Sequence, residues 1–376
     1  MQPRRILCSI GTRPEAIKMA PVVRALDAAP WAETRVVATA QHRELLDDVL
    51  RVYGIEPYLD LNVMRPGQDL PDLTAKLLPA FDRVLRHETP ALVLAQGDTT
   101  SVLVAALACF YRRVAFGHVE AGLRTGDPAF PFPEEINRTL VAKLAAIHFA
   151  PTPRAAENLM REGIDPATIH TTGNTIVDAL RFMLERDPDP GIEATDGRRL
   201  ILMTAHRREH FGAPMEEIFA GARDLVDAVP DVELIYPIHP NPNVAEAARR
   251  ALGDHPRIRL IAPMDHLRFI GLMRRATLVL TDSGGVQEEA PALGVPSLVL
   301  RDRTERPEAI EAGLAVLVGP HRERIAAEGI RLLTDPERYK AMARAESPYG
   351  DGRAGERIAA AIDAFFRGAR ACEGSY

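Results

Sequence analysis

The sequence predicts an α/β protein made of two doubly wound domains that face each other across a cleft. Three observations lead there. Short apolar runs of strand length alternate with helical patterns, once through the first half and again through the second. The 376 residues exceed what one ordinary core organises, so two domains are expected. The apolar runs also stop at polar and glycine-containing clusters, as strands do at the ligand-binding carboxyl edge of an open parallel sheet.

The clearest unit of this kind spans residues 277–308. Leu278, Val279 and Leu280 read as a buried parallel strand that stops at Thr281-Asp282-Ser283, before Gly284-Gly285. A helix starts at about Val286 and ends by Gly294, and residues 297–300 form the next strand. Pro291 makes this helix short or kinked. The glycines allow backbone to approach a ligand, and a helix start offers free N–H groups, so a diphosphate fits. Glu288 and Glu289 lie one turn in, where a carboxylate can accept hydrogen bonds from a pair of ribose hydroxyls. The plainer alternative is a strand–helix turn whose acidic residues complement the helix dipole.

Composition narrows the function. Hydrophobic content of 46% and charged content of 26% are ordinary for a soluble globular protein. A net charge of -6 argues against nucleic acid as a partner. Cys8, Cys109 and Cys372 are odd in number and widely spaced, matching neither a disulfide framework nor a metal site, so a reducing cytoplasm is expected. There is no signal-peptide pattern and no apolar run approaching ~18 residues, so no membrane association is expected.

In the first half, residues 5–10 form a strand. A loop with Gly11 and Arg13 follows, then a helix with Ile17, Ala20, Val23 and Leu26 on its apolar face; Pro14 suits the helix start. Arg13 and Lys18 place two cations at the ligand edge, with two solvated basic residues as the alternative. The GxGxxG pattern is missing, which counts against a nicotinamide enzyme. Residues 35–39 are the second strand, and the next helix carries Leu45, Leu46, Val49 and Leu50. An amphipathic helix over 69–87 precedes a strand at 90–95, which runs into Gln96-Gly97-Asp98. Asp98 serves there either in chemistry or as a helix N-cap. The strand at 114–119 ends in Glu120. A proline-stiffened loop then enters a helix at about Glu134, with Glu135 and Arg138 in its first turn. Asp98, Glu120 and Glu134 are placed to converge on one crevice, where burial and repulsion would raise at least one pKa. A strand at 146–150 and a helix at 151–162 follow, and residues 170–174 lead into the second half.

The second half repeats the alternation. After an exposed loop at 186–198, strands fall at 200–203, 233–236, 258–261 and 314–318, with helices at 214–229 and 266–274. His206, beside Arg207 and Arg208 at a strand end, reads as functional. His239, among prolines, reads as a ligand group or a loop former.

GTRPEAIKMAP (11–21), QGDTTS (96–101), HVEAGLRTGD (118–127), PFPEEINR (131–138), HRRE (206–209) and TDSGGVQEEA through RTERPEA (281–309) together resemble the non-hydrolysing UDP-N-acetylglucosamine 2-epimerases. The resemblance runs from about Gly11 to Val318. It implies a GT-B-like fold with Rossmann-like domains at 1–172 (catalytic carboxylates) and 173–351 (UDP binding), and a returning helix at 352–376. It implies acid/base chemistry on Asp98, Glu120 and Glu134, with His206 also catalytic. Arg13, Lys18 and His206 would meet diphosphate and sugar; Ser283, Gly284 and Gly285 would hold phosphate and Glu289 the ribose. Arg138 and His239 join the substrate-binding set. Some members bind a second UDP-N-acetylglucosamine as activator, and Gln41, His42 and Arg207 are the second-site candidates. His210, Glu44 and Gly67 depart from the pattern. The implied reaction is anti elimination of UDP to 2-acetamidoglucal and syn re-addition, with no metal, no cofactor and a homodimeric enzyme. The competing readings are an epimerase of a modified UDP-sugar, a hydrolysing epimerase, a GT-B glycosyltransferase and a non-enzymatic nucleotide-sugar sensor.

Overall fold

A computed structural model describes residues 3–39, 49–63, 65, 67–344 and 346–373. Contacts group the described chain into two compact units. One is Met1–Ala179 with Tyr349–Tyr376, and the other is Leu180–Pro348.

The first unit holds seven parallel strands: β1 (Arg4–Ile10), β2 (Ala32–Ala38), β3 (Leu59–Asp60), β4 (Leu92–Gln96), β5 (Ala115–Val119), β6 (Ile147–Ala150) and β7 (Ile169–Thr171). Their order is β3-β2-β1-β4-β5-β6-β7. The order reverses between β1 and β4, and a doubly wound sheet binds ligand in the crevice at such a reversal. The loop after β1 begins at Gly11 and the loop after β4 carries Gly97 and Asp98, so these segments lie together by topology. Leu7, Val93, Phe116 and Val141 belong to the buried core beneath.

The second unit repeats the plan with β8 (Arg199–Thr204), β9 (Val232–Pro237), β10 (Ile258–Ile261), β11 (Leu278–Thr281), β12 (Ser297–Val299) and β13 (Ala315–Leu317), ordered β10-β9-β8-β11-β12-β13. Its reversal lies between β8 and β11. Their ends carry His206 on one side and Asp282 to Gly285 on the other. Ile201, Met203, Leu234 and Leu280 are in its core.

The expected α/β class, with two parallel sheets and alternating helices, is what the chain forms. The differences are local. β2 starts at Ala32, before the apolar run, because its polar first residues lie half-buried at the amino edge of the sheet. β3 and β7 are strands that the sequence did not announce: one is two residues long, and the other, Ile-His-Thr, is an outer strand without an apolar run. The leucine pair Leu45 and Leu46 lies outside the described residues, as do Gln41, His42 and Glu44. Within the first unit the helix Ala354–Glu373 packs on the helix Arg13–Asp27. Asp178 caps it, accepting from the backbone N–H of Ala354 at 3.1 Å and of Gly355 at 2.8 Å. Gly355 must be small, since a Cβ there would lie 2.7 Å from the Pro21 carbonyl oxygen.

Gly122, just past β5, has φ +93°, and a Cβ on it would sit 2.1 Å from the Ala155 carbonyl oxygen. The helix Pro153–Arg161 thus packs directly under the segment that leaves β5, and Asn158 donates through Nδ2 to the Gly122 carbonyl at 3.0 Å. Gly122→Ala adds a backbone clash to a left-handed conformation, so it is expected to cost about 3 kcal/mol or more in denaturant unfolding. An unchanged midpoint would contradict this packing.

Candidate active site

Glu120 follows β5 with φ +63°, a left-handed backbone that a non-glycine residue holds only when its surroundings demand it. Its side chain explains the demand. The residue is 7% exposed. Lys18 reaches from the second turn of the helix Arg13–Asp27 to form an ion pair with Oε1. Gln96, the last residue of β4, donates through Nε2 to Oε2. Asn174 donates through Nδ2 to Oε1 at 3.3 Å. Lys18, Gln96 and Asn174 are all buried themselves. Removing one partner from a buried pair strands the other charge, at a cost of about 3–5 kcal/mol.

Asp98 follows the neighbouring strand end. Arg138 donates through Nη2 to its Oδ2 at 2.5 Å, and Asn137 donates through Nδ2 to its carbonyl at 2.9 Å. The helix cap here is Thr99, whose Oγ1 accepts from the Val102 N–H. Asp98 is therefore not an N-cap. Asn137 and Arg138 both belong to the helix Glu134–Leu144. Glu134, three and four residues before them, lies on the same face, so the helix start is pinned at the Asp98 edge. Glu135 shares Arg138 with Asp98. It meets Arg138 at 3.3 Å and accepts from the backbone N–H of Thr125 and Gly126, which ties down the loop after β5.

Two further buried groups shape the loops. His118 contacts the Gly97 carbonyl through Nε2 at 2.7 Å, holding the backbone just before Asp98. Burial pushes its pKa down to about 3, so it is neutral and donates that bond from Nε2. Glu15 accepts from the backbone N–H of Gly11 at 2.5 Å and of Thr12 at 3.3 Å, and from Thr99 Oγ1 at 2.9 Å. It closes a capping box with Thr12 and joins the loop after β1 to the loop after β4. Burial pushes its pKa up to about 7 against these hydrogen bonds. Sequence reading passed over Glu15; the Thr-x-x-Glu spacing was the available signal.

In the second unit the hub is Asp282, which is fully buried. Its Oδ2 accepts from the backbone N–H of His206 and of Arg207, each at 2.8 Å, and lies 3.3 Å from His210 Nδ1. Burial opposes its charge. The hydrogen bond from His210, the charge of His206 and the two backbone bonds outweigh that and hold the carboxyl below its usual range. His210, one of the departures from the expected pattern, thus has a structural role. The His206 ring lies 3.4 Å from Asp282 and stacks on His239 at 5.4 Å between centroids. His206 and His239 therefore lie ring against ring. Burial, and then the charge of His206, draw the His239 pKa down.

Gly284 borders two guanidiniums. A Cβ there would lie 2.8 Å from Arg306 Nη1 and 3.5 Å from Arg207 Nη2, whereas one on Gly285 would meet nothing within 4 Å. The helix Val286–Ala292 is only seven residues long, with Pro291 inside it, so the positive character at the glycine pair comes from arginine side chains more than from a helix dipole. Arg306 pairs through Nε with Glu288 at 2.5 Å and through Nη1 with Glu305, and buried Arg301 meets Glu305 at 3.1 Å. Of the two acidic residues, Glu288 is thus a partner of arginine. Glu289 has Oε1 2.8 Å from His266 Nε2.

A family model described as UDP-N-acetylglucosamine 2-epimerase matches residues 24–363. The UDP-N-acetylglucosamine 2-epimerase of Escherichia coli K12 is 47% identical over 376 residues, covering 95% of this chain and 98% of that one. The chain belongs to the UDP-N-acetylglucosamine 2-epimerase family. It is an isomerase of that family. The Bacillus subtilis UDP-N-acetylglucosamine 2-epimerase is 47% identical over 360 residues, with 95% and 94% coverage. Among solved structures, the Neisseria meningitidis UDP-GlcNAc 2-epimerase bound to UDP-GlcNAc superimposes with a TM-score of 0.91 at 42% identity, over 95% of this chain and 99% of that one.

Glu15 supplies a pH test. Its folded pKa of about 7 exceeds the ordinary 4.5, so the unfolded chain gives up the proton first as pH rises. Its contribution to stability is therefore lost between about pH 4.5 and 7. Glu15→Gln removes that titration, and its stability relative to the unsubstituted protein should rise across the same window by on the order of 2 kcal/mol. Equal pH dependence of urea midpoints in the two proteins would show that Glu15 is not buried as described.

Proposed function

We propose that the protein interconverts UDP-N-acetylglucosamine and UDP-N-acetylmannosamine without hydrolysis. The supporting observation is Glu120, buried against Lys18 and Gln96 at a strand end beside Asp98. The proton on C2 of the sugar has no adjacent carbonyl to acidify it. Elimination removes the need for a stabilised carbanion. A carboxylate takes the C2 proton, the C1–O bond breaks with its electron pair leaving on UDP, and a C1–C2 double bond forms in 2-acetamidoglucal. Re-addition re-forms C1–O and delivers a proton to the other face of C2. The route uses no metal and no nicotinamide.

On this reading Asp98, Glu120 and Glu134 share the proton transfers. Arg13, Lys18 and His206 stabilise the leaving diphosphate. Ser283, Gly284 and Gly285 receive phosphate beside Arg207 and Arg306, and Glu289 holds the ribose. Arg138 keeps Asp98 oriented, and His239 supports His206. The residue types suit catalysis, because a pure binder gains nothing from carboxylates near an anionic substrate. The domain divisions at 172 and 351, a cytoplasmic location and a second, activating nucleotide-sugar site with Arg207 belong to the same reading. Among the described residues no helix is long and apolar enough to cross a membrane.

The test is proton NMR of UDP-N-acetylglucosamine incubated with the protein in D2O, without added cofactor. UDP-N-acetylmannosamine with deuterium at C2 is the expected product, while free N-acetylmannosamine with UDP would indicate hydrolysis. Asp98→Asn and Glu120→Gln should retain UDP binding and lose at least ~100-fold in turnover. Near-full activity in either removes that residue from the mechanism.

We infer that the protein is a homodimer. The helices Thr100–Arg112 and Glu134–Leu144 pack together and expose Phe110 (61%), Tyr111 (63%), Ile136 and Leu140 (47%). These exposed apolar side chains on two neighbouring helices suit a two-fold contact with a second copy. Sedimentation velocity should give a dimer for the unsubstituted protein and a monomer for Phe110→Lys combined with Leu140→Lys. A dimer surviving both substitutions would place the contact elsewhere.

A further inference from the structure

Three described partners of Glu120 come from three places. Lys18 belongs to the helix after β1 and Gln96 to β4. Asn174 belongs to no strand or helix. It lies between β7 and the helix Thr175–Leu184, shortly before the chain passes into the second unit after Ala179. The chain re-enters the first unit at Tyr349. The two passages touch at Asn174, whose backbone N–H donates to the Tyr349 carbonyl at 2.8 Å. Gly173 and Gly350 flank the contact at φ +87° and +107°, and a Cβ on Gly350 would lie 3.2 Å from Gly173 Cα. Only glycines bring the two backbones this close.

The Asn174 side chain has separable duties. Its Oδ1 accepts from the Ile176 backbone N–H at 3.1 Å, which caps the following helix. Its Nδ2 donates to Glu120 Oε1 at 3.3 Å. The residue is buried, so neither bond is replaced cheaply by water. Lys18 supplies the positive charge on Glu120; Gln96 and Asn174 are neutral donors, and His118, two residues earlier on β5, is neutral and engaged with Gly97.

We propose that Asn174 is a positioning residue for Glu120, fixing its carboxylate from the segment where the chain leaves and re-enters the first unit. The orientation of Glu120 then depends on that junction as well as on the sheet. This rests on the proton-transfer role given to Glu120 above.

Two substitutions keep the cap and remove the donor. Asn174→Asp retains the shape and the acceptor for Ile176 but places an anion beside Glu120. Asn174→Ser can still cap the helix, and its hydroxyl is too short to reach Glu120. In the full-length protein, both should fold, by circular dichroism. In both, kcat should fall about tenfold or more, with KM within about twofold. Loss of a donor raises a carboxylate pKa, so the pH–rate profile should move to higher pH, further for Asn174→Asp than for Asn174→Ser. If Asn174→Asp does not fold, Asn174→Ser decides alone. Unchanged kcat with an unmoved pH profile overturns the proposal, even if stability drops, since the residue would then be only a cap. Full activity in Glu120→Gln is a different result: it removes the role of Glu120 itself.

Discussion

A carboxylate taken out of water must be paired, and the first unit is arranged around one such carboxylate. Glu120 sits in a left-handed conformation immediately after a strand, where most residues would be unfavourable. Ion pairing with Lys18 and hydrogen bonds from Gln96 and Asn174 hold it there. Each partner comes from a different segment, so the requirement to satisfy one anion draws together the helix after β1, the end of β4 and the chain after β7. Glycine at 122 then lets the segment turn away against the helix Pro153–Arg161. The backbone strain is local; the groups that offset it are spread through the unit.

The second unit uses the same physics with different parts. Asp282 is also a buried anion after a central strand, but its partners are backbone N–H groups and histidines rather than a lysine. Backbone donors fix the shape of a loop. Asp282 therefore determines where His206 and Arg207 leave β8, while the side chain of Arg207 projects toward the glycine pair. Asp282 falls at the reversal of strand order in its sheet, the place where loops diverge and leave a crevice, and Glu120 follows β5, one strand beyond the reversal in the first sheet.

The alternation of strands and helices was legible because parallel strands buried on both faces must be apolar runs, and such runs are easy to see. Outer strands escaped for the converse reason: β3 and β7 have too little apolar sequence to announce themselves. Asp98, Glu120 and His206 were legible because strand ends are predictable places. What stood beyond reach was partnership. Nothing in a linear reading says that Asn174 meets Glu120 across fifty-four positions, or that Arg306 borders Gly284. The neighbouring acids 288 and 289 also look alike in sequence, yet one meets arginine and the other histidine.

The two hubs differ in a way that bears on their proposed roles. Asp282 is fully buried and surrounded by donors that cannot leave, since two belong to the main chain. A group so held is suited to maintaining a binding surface, and poorly suited to exchanging protons. Glu120 keeps slight exposure, and its described partners are side chains: a buried lysine and two amides. In the proposed reaction, a carboxylate held by side chains suits a proton that is accepted in one direction and returned in the other. On electrostatic grounds, then, the proposed division of roles is consistent: proton transfer on Glu120 and its neighbour Asp98, and phosphate recognition on the loops that Asp282 anchors.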